Sequence, residues 1–310
     1  MNAKQSNLLS RREFARRLAG AGAAGMLAGK WNSRAAEAIA LPPTSVFSKV
    51  YQELRLNFDD SAAVTAEAGL DGIDCAARPG GQVLPERVAD DLPRYAEALA
   101  KHQRKILLLT TGIDSLNTPH AEAVLRAAAK LGVKYYRMGY WRYRDDQPPE
   151  ARLEQIKAQL KDLAALNREI GVCALLQNHA GRNQVGAKVN DYRELVRDLD
   201  PAQVAIAFDP GHAINELGEN WRAEFEALGR HFAIAYVKDW KPGSGWVPFG
   251  TGELGNTEFF RLLRERNYRA PLSVHVEYNW AGDRENRTRE RLIQAIQSDL
   301  TVLKRWWTES

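Results

Sequence analysis

Short runs of apolar and β-branched residues recur along this chain from about residue 45, each followed by a stretch with apolar positions at helical spacing. DGIDCAA (71–77), KILLLTT (105–111), KYYRMGY (134–140), VCALLQNH (172–179), VAIAFDPGH (204–212), FAIAYVKDW (232–240) and PLSVHVEYN (271–279) predict strands. LPRYAEALAKHQ, AEAVLRAAAKLG, EARLEQIKAQLKDLAALNREIG and TEFFRLLRERN, which lie between them, predict amphipathic helices. An eighth strand is expected near SVFSKVYQ (45–52), before a helix over DDSAAVTAEAG. Near-continuous apolar strands alternating with helices imply a parallel sheet covered by helices. Eight such units in about 270 residues fit a single closed (β/α)8 TIM barrel better than an open doubly wound sheet.

Polar residues break this pattern at the ends of the runs, where barrel chemistry gathers. The fourth run ends around Arg137 and the fifth in Gln177, Asn178 and His179; the sixth ends in Asp209, Gly211 and His212. The seventh carries Tyr236, Lys238 and Asp239, and the last His275 and Glu277. Residues two apart on a strand share a face, so Gln177, Asp209, Lys238 and Glu277 are expected to point into one mouth. A single Asp or His at a strand end is more often a cap than a ligand, and the convergence of several is what argues for a site. Trp141, Trp221, Trp240, Trp246 and Trp280 fall in the segments after the strands, where an indole suits the C–H face of a sugar. The glycines of WKPGSGWVPFGTGELG (240–255) leave room for a ligand and offer backbone N–H groups to a phosphate, although no P-loop pattern is present.

The N-terminus follows other rules. SRREFARRLAGAGAAGMLAG sets Arg11 and Arg12 before Phe14 and a weakly apolar stretch, and AAEAIA offers small residues for a cut after Ala38 or Ala40. Residues 1–40 therefore read as a twin-arginine export signal, with the barrel over 41–310, the export machinery as a partner and the periplasm as destination. GAGAAG (20–25) matches a dinucleotide fingerprint only formally, since no strand precedes it. Seven Lys and Arg against two Asp and Glu in residues 1–40 give +5 of a chain net of +4, so the remainder carries −1. That near-neutral balance shows no sign of a nucleic-acid footprint. No run of about 18 apolar residues is present to span a membrane in the mature form. Cys75 and Cys173 sit in separate predicted strands and read as buried free thiols.

QNH, FDPGHA, YVKDW, PFGTGEL and VHVEY, in that order, resemble the xylose-isomerase-like barrel superfamily over about residues 45–305, and most closely its exported, twin-arginine-bearing sugar phosphate isomerase/epimerase branch. The resemblance implies a divalent metal (Mn²⁺, Mg²⁺ or Zn²⁺) held by a Glu, an Asp, a His and a C-terminal Glu. The Asp falls on Asp209 and the last Glu on Glu277, while Gln177 stands where the first Glu is expected and Tyr236 where the His is expected. The implied metal set is thus Gln177, Asp209 and Glu277, and His212 takes the position of a substrate-holding histidine.

Proton transfer α to a carbonyl needs a base, an acid and a positive or hydrogen-bonding group for the enolate oxygen. Glu277 is the candidate base, with His212 or Lys238 as acid, and Arg137, Trp141, His179, His212 and Trp246 as contacts to a small carbohydrate. Lys238 is also placed to supply the charge of an absent metal. Three readings follow: a metal-assisted isomerase, epimerase or lyase on a free sugar, keto-sugar or cyclitol; an exported sugar-binding barrel without chemistry; and a metal-dependent phosphodiesterase, against which the near-neutral charge argues.

Overall fold

The computed structural model describes residues 40–256 and 258–309; the twin-arginine segment lies outside them. Eight parallel strands close on themselves: β1 (Thr44–Phe47), β2 (Gly72–Ala77), β3 (Lys105–Thr111), β4 (Tyr135–Arg137), β5 (Cys173–Gln177), β6 (Val204–Phe208), β7 (Phe232–Val237) and β10 (Leu272–Val274). Around the barrel they run β1-β10-β7-β6-β5-β4-β3-β2, which is the (β/α)8 order expected. β8 (Asp239–Lys241) and β9 (Gly245–Val247) form a separate antiparallel hairpin after β7.

The helices outside this ring are α1 (Lys49–Glu53), α2 (Phe58–Glu67), α3 (Val88–Ala100), α4 (Ala121–Lys130), α5 (Pro149–Ile170), α6 (Val189–Val196), α7 (Pro210–Leu217), α8 (Trp221–Glu226), α9 (Phe259–Glu265) and α10 (Arg289–Glu309). No helix among the described residues is long and apolar enough to cross a membrane.

Period-2 alternation decides what fills the barrel. Leu108, Cys173, Leu175, Ala205, Ala207, Ile234 and Tyr236 form the interior cluster, all nearly inaccessible to solvent. Continuing each strand by one step of two carries β5 to Gln177, β6 to Asp209 and β7 to Lys238, so the apolar plug is capped by polar groups at the C-terminal mouth. Cys75 and Cys173 are free and buried.

Three runs end earlier than their apolar content suggests. VAIAFDPGH leaves the sheet at Phe208, because Asp209 caps α7 by accepting the His212 N–H at 3.1 Å and Pro210 occupies the first helical turn. FAIAYVKDW divides after Val237, and its last residues enter the hairpin. PLSVHVEYN holds the ladder only to Val274, which frees His275 and Glu277 to line the mouth.

The hairpin loop is anchored from inside rather than built around phosphate. Asp239 is buried, and its carboxylate accepts the N–H groups of Trp240, Gly250, Gly252 and Leu254 at 2.9–3.0 Å. A Cβ on Gly252 would come 2.4 Å from Asp239 Oδ1, so this glycine permits a backbone approach to the carboxylate.

Asp299 on α10 ties the same segment down, accepting the Phe249 N–H at 3.0 Å and the Tyr278 hydroxyl at 2.9 Å. Burial pushes its carboxyl up to about 7, against the lowering effect of those two donors. A carboxyl whose folded pKa is raised binds more protons folded than unfolded, so stability falls as pH rises from about 4 towards 7. Asp299→Asn mimics the protonated acid. The unfolding free energy of the variant minus that of the parent is expected to grow between pH 5 and pH 8, with a slope of at most about 1.4 kcal/mol per pH unit. A gap independent of pH would show that Asp299 is ionised throughout.

Candidate active site

The tip of β5 sends its three polar side chains in three directions. Asn178 pairs with the backbone of Asp209, its Nδ2 donating to the carbonyl at 2.9 Å and its Oδ1 accepting the N–H at 2.7 Å. The amide side chain thereby fixes where β6 turns into α7. Gln177 points inward, its Nε2 donating to Asp209 Oδ2 at 2.9 Å while its Oε1 accepts the Tyr140 hydroxyl at 2.7 Å. The amide orientation follows from chemistry, because an ionised carboxylate only accepts and so must face the NH2 group. His179 stacks against the ring of His212, centroids 3.9 Å apart, and Tyr140 closes on His179 at 4.9 Å.

Lys238 is the centre of the mouth. Its ammonium lies 2.8 Å from Glu277 Oε2 and 3.2 Å from Asp209 Oδ2, and 4.5 Å from the Trp246 ring centroid. The Lys238 side chain is 4% exposed, Asp209 0% and Glu277 21%, so of the two carboxylates only Glu277 is open to a ligand. Lys49 reaches the other oxygen of Glu277 at 3.6 Å. His275 Nδ1 stands 3.7 Å from Glu277, beyond hydrogen-bonding distance, and its ring is held between Phe47 and Tyr236. Gly211 lets the first turn of α7 press on this group: a Cβ there would lie 2.7 Å from the Lys238 carbonyl oxygen and 3.0 Å from the Trp246 ring.

The charges hold one another. Burial disfavours each ion, but Lys238 pulls Glu277 well below the usual carboxylate range, and pulls Asp209 down together with the His212 backbone N–H. Asp209 and Glu277 in turn raise Lys238 above an ordinary lysine, against its burial. Burial drives His212 down to about 3 despite Asp209, and lowers His179 as well. Both imidazoles are neutral at physiological pH, and His212 Nε2, 3.9 Å from Asp209, has no hydrogen-bond partner among the described residues. With Lys238 raised, Asp209 and Glu277 lowered and His212 at about 3, none of these four changes protonation near neutrality, so kcat/KM is expected to be flat from about pH 7 to pH 9. A bell centred near neutrality would mean that a group shifted towards 7 does the chemistry. The lowered Asp209 and Glu277 pKa values stabilise the fold above the carboxylate range, and that contribution is lost as acid protonates them.

A hard divalent cation needs several lone pairs converging at about 2.0–2.6 Å. Here the point between Asp209 and Glu277 is taken by a protonated amine, Gln177 turns its NH2 to Asp209, and its carbonyl oxygen is engaged by Tyr140. Tyr236 lies one layer below, 0% exposed in the plug. Among the described residues no three His, Cys, Asp or Glu side chains are grouped to hold a metal ion. The donor set Gln177, Asp209 and Glu277 does not fit a resident cation.

The expected carbohydrate contacts separate. His179, His212 and Trp246 form one wall, with the Trp246 ring edge-on to His212 at 4.8 Å. Arg137 is buried at the end of β4 with its guanidinium 4.7 Å from the Tyr140 ring. Trp141 is buried and takes no part in these ring contacts, and Trp221 packs among Phe208, Phe225 and Phe259 behind the barrel. Trp280 lies under Arg287. Arg78, Lys49, Tyr140 and Asp74 were not singled out in the sequence. Asp74 carried a period-2 signal, an Asp inside an apolar strand; it accepts Thr110 at 2.8 Å and Ser273 at 2.9 Å across the barrel.

A profile of the xylose isomerase-like TIM barrel family matches residues 62–298. The chain belongs to this family. No curated protein sequence matches it. Among solved structures, this xylose isomerase-like barrel is similar to D-psicose 3-epimerase from Clostridium cellulolyticum H10, at 13% identity and TM-score 0.65, covering 87% of this chain and 100% of that one. It is also similar to 3-keto-D-glucoside 4-epimerase YcjR from E. coli, at 17% identity and TM-score 0.60, covering 83% and 99%. The IolI protein, solved with a zinc atom bound, matches at 17% identity and TM-score 0.63, covering 87% and 100%. Likeness at these identities is likeness of fold.

Proposed function

We propose that this barrel is a sugar isomerase or epimerase that moves a proton α to a carbonyl with Glu277 as base and the Lys238 ammonium as the positive group that holds the enolate oxygen. One observation carries the reading: a buried ammonium bridges two carboxylates at the barrel mouth, and only Glu277 of the two is open to a ligand. Lys238 keeps its proton, so it can donate to a carbonyl oxygen and stabilise the charge that develops there, as a preorganised cation in a dry site does. Glu277 stays ionised, takes the proton from the carbon beside that carbonyl and, as the acid so formed, returns it to the adjoining carbon of the enediol, which completes an isomerisation. Asp209 holds Lys238 in place. His212 is neutral and its Nδ1 accepts the Ala180 N–H at 3.3 Å, so its free Nε2 carries the ring proton and donates a hydrogen bond to a sugar hydroxyl.

The epimerases of similar fold, D-psicose 3-epimerase and 3-keto-D-glucoside 4-epimerase, support a free sugar or keto-sugar as the class to test, with cyclitols beside them. The same arrangement favours chemistry without a resident metal, since the ammonium stands where a cation would bridge Asp209 and Glu277. The twin-arginine leader supports export to the periplasm, and cell fractionation with the leader intact and with Arg11 and Arg12 replaced tests that. For the reaction, the test is a turnover screen by NMR over aldoses, ketoses, keto-sugars and cyclitols in chelator-treated buffer. Conversion of at least one sugar by the parent protein supports the reading; conversion of none, with binding retained, leaves a carbohydrate-binding barrel.

A further inference from the structure

Two guanidinium groups at the mouth have no anion to match them. Arg137 ends β4, on the barrel-facing side with Tyr135, and is 4% exposed. The one hydrogen bond of its guanidinium within the described residues goes from Nη1 to the Met138 carbonyl at 2.9 Å, and its flat face lies on Tyr140. Arg78 follows β2 directly, half-buried, with its guanidinium 5.4 Å from the Phe47 ring centroid and no side-chain hydrogen bond or ion pair among the described residues. β2 and β4 both pair with β3, and burial and then the charge of Arg137 lower the Arg78 pKa, against the pull of Asp74 and Glu277. Asp74 is close enough to act on both electrostatically, but its oxygens already accept Thr110 and Ser273, and it forms no ion pair with either arginine. Burying a charge without a partner is costly, so a pair of unmatched arginines beside a site is a place for an anion.

Topology sets where that anion lies. In the ring order, β7 has β6 and β10 as neighbours, and β3, flanked by β2 and β4, stands four strands away on the opposite side. Lys238, Asp209 and Glu277 are thus centred on the side opposite β3, the strand between Arg78 and Arg137; Arg137 stands four strands from Glu277, and Arg78 two strands from it. A ligand stretched across the opening has one end at the proton-transfer group and the other at the arginines.

The remaining donors near the arginines narrow the anion. Thr110 donates to Asp74, Thr111 donates to the Arg137 carbonyl at 2.8 Å, Ile113 N–H to Thr111 at 3.3 Å, and Gly139 N–H to the Ile113 carbonyl at 2.7 Å. These hydroxyls and backbone amides are engaged, which leaves two planar forks and the Tyr236 hydroxyl, without a hydrogen-bond partner among the described residues. Such forks match the two oxygens of a carboxylate edge to edge, whereas a phosphate site ordinarily adds free backbone N–H groups for its further oxygens, and those named here are engaged.

We propose that Arg78 and Arg137 form a carboxylate-binding end of the site, so that the sugar taken by this barrel is acidic, of the uronate or aldonate class, with its carboxylate at β2–β4 and its reacting carbons at Lys238 and Glu277. The inference rests on the proposed proton-transfer reading for the reacting end only.

Calorimetric titration of the full chain with D-glucuronate, D-galacturonate and D-mannuronate, each beside its neutral parent sugar and the 6-phosphate of that parent, tests it. At least one uronate is expected to bind about tenfold or more tighter than its parent and tighter than the 6-phosphate, with the advantage falling as salt rises. Arg78→Met is expected to remove most of that advantage and leave the neutral sugar unchanged. Arg137→Lys, which keeps the charge but not the fork, is expected to remove part of it even if Arg137→Met fails to fold. Equal affinity for uronate and parent, a preference for the 6-phosphate, no binding by any probe, or an advantage that survives Arg78→Met would each overturn the proposal. The two readings fail separately: uronate preference with no turnover removes proton transfer and keeps the arginine pair, while turnover of neutral sugars with no gain from a carboxylate does the reverse.

Discussion

Replacing Lys238 by Met is expected to lower kcat/KM by about 10²–10³-fold, the range seen when a single preorganised donor to a developing oxyanion is removed. Met fills nearly the same volume beside Trp246 and carries no proton, so the loss isolates the ammonium. The side chain also separates two carboxylates that both contact it within 3.2 Å. Without it Asp209 and Glu277 face each other across a buried space, and one of them must take up a proton. Breaking a buried ion pair by removing one partner typically costs 3–5 kcal/mol. Partial exposure of Glu277 and its contact with Lys49 reduce that, so a loss of about 2–3 kcal/mol in denaturant unfolding is expected. The activity loss should persist at pH 5–9, because no other group in the site takes over the charge. A variant within threefold of the parent would place the oxyanion elsewhere.

Glu277→Gln is expected to reduce turnover by about 10³-fold while substrate affinity changes little, since the amide keeps an oxygen acceptor for Lys238 and loses the capacity to remove a carbon-bound proton. The carboxylate is the accessible one of the pair, and Asp209 cannot replace it. Asp209 is fully buried and engaged by Gln177, by the His212 N–H and by Lys238. The split between KM and kcat is the informative readout. A merely structural Glu277 would raise KM or lower the melting temperature and leave kcat near that of the parent. Loss in kcat alone assigns it to the chemical step.

Much of the barrel can be read from the chain because its strands obey a simple period. Buried on both faces, they appear as apolar runs, and the step of two from Ala207 to Asp209, or from Tyr236 to Lys238, predicts which polar residues meet at the mouth. The boundaries were less legible. Asp209-Pro210 reads as strand on apolar neighbours, yet a capping carboxylate followed by proline in the first turn is a helix start, and that local rule wins. The VHVEY segment has strand composition throughout, but only Leu272–Val274 find ladder partners.

The contents of the mouth were legible as a convergence and not as a mechanism. Sequence order gives Asp209, Lys238 and Glu277 at neighbouring strand tips. Whether they hold a metal or one another depends on which side chain enters the centre, and that is settled by contacts between residues 29 to 39 positions apart. The departures at Gln177 and Tyr236 were the visible sign. An amide that donates to Asp209 and a phenol sunk into the plug accompany an inward lysine, and together they replace the donor set the resemblance implied. Arg78 carried no signal, being one arginine after a strand, and it matters only because β2 and β4 flank the strand opposite β7.

The measurement that tests the account most directly is exchange of substrate C–H protons with D2O, followed by NMR, in chelator-treated full-length protein beside Lys238→Met and Glu277→Gln. The account predicts exchange at a carbon next to the carbonyl in the metal-stripped parent, no acceleration on adding Mn²⁺, Mg²⁺ or Zn²⁺, and no exchange above background in either variant. Exchange that appears only after a divalent ion is restored, or that survives in Lys238→Met, would contradict a lysine-centred site.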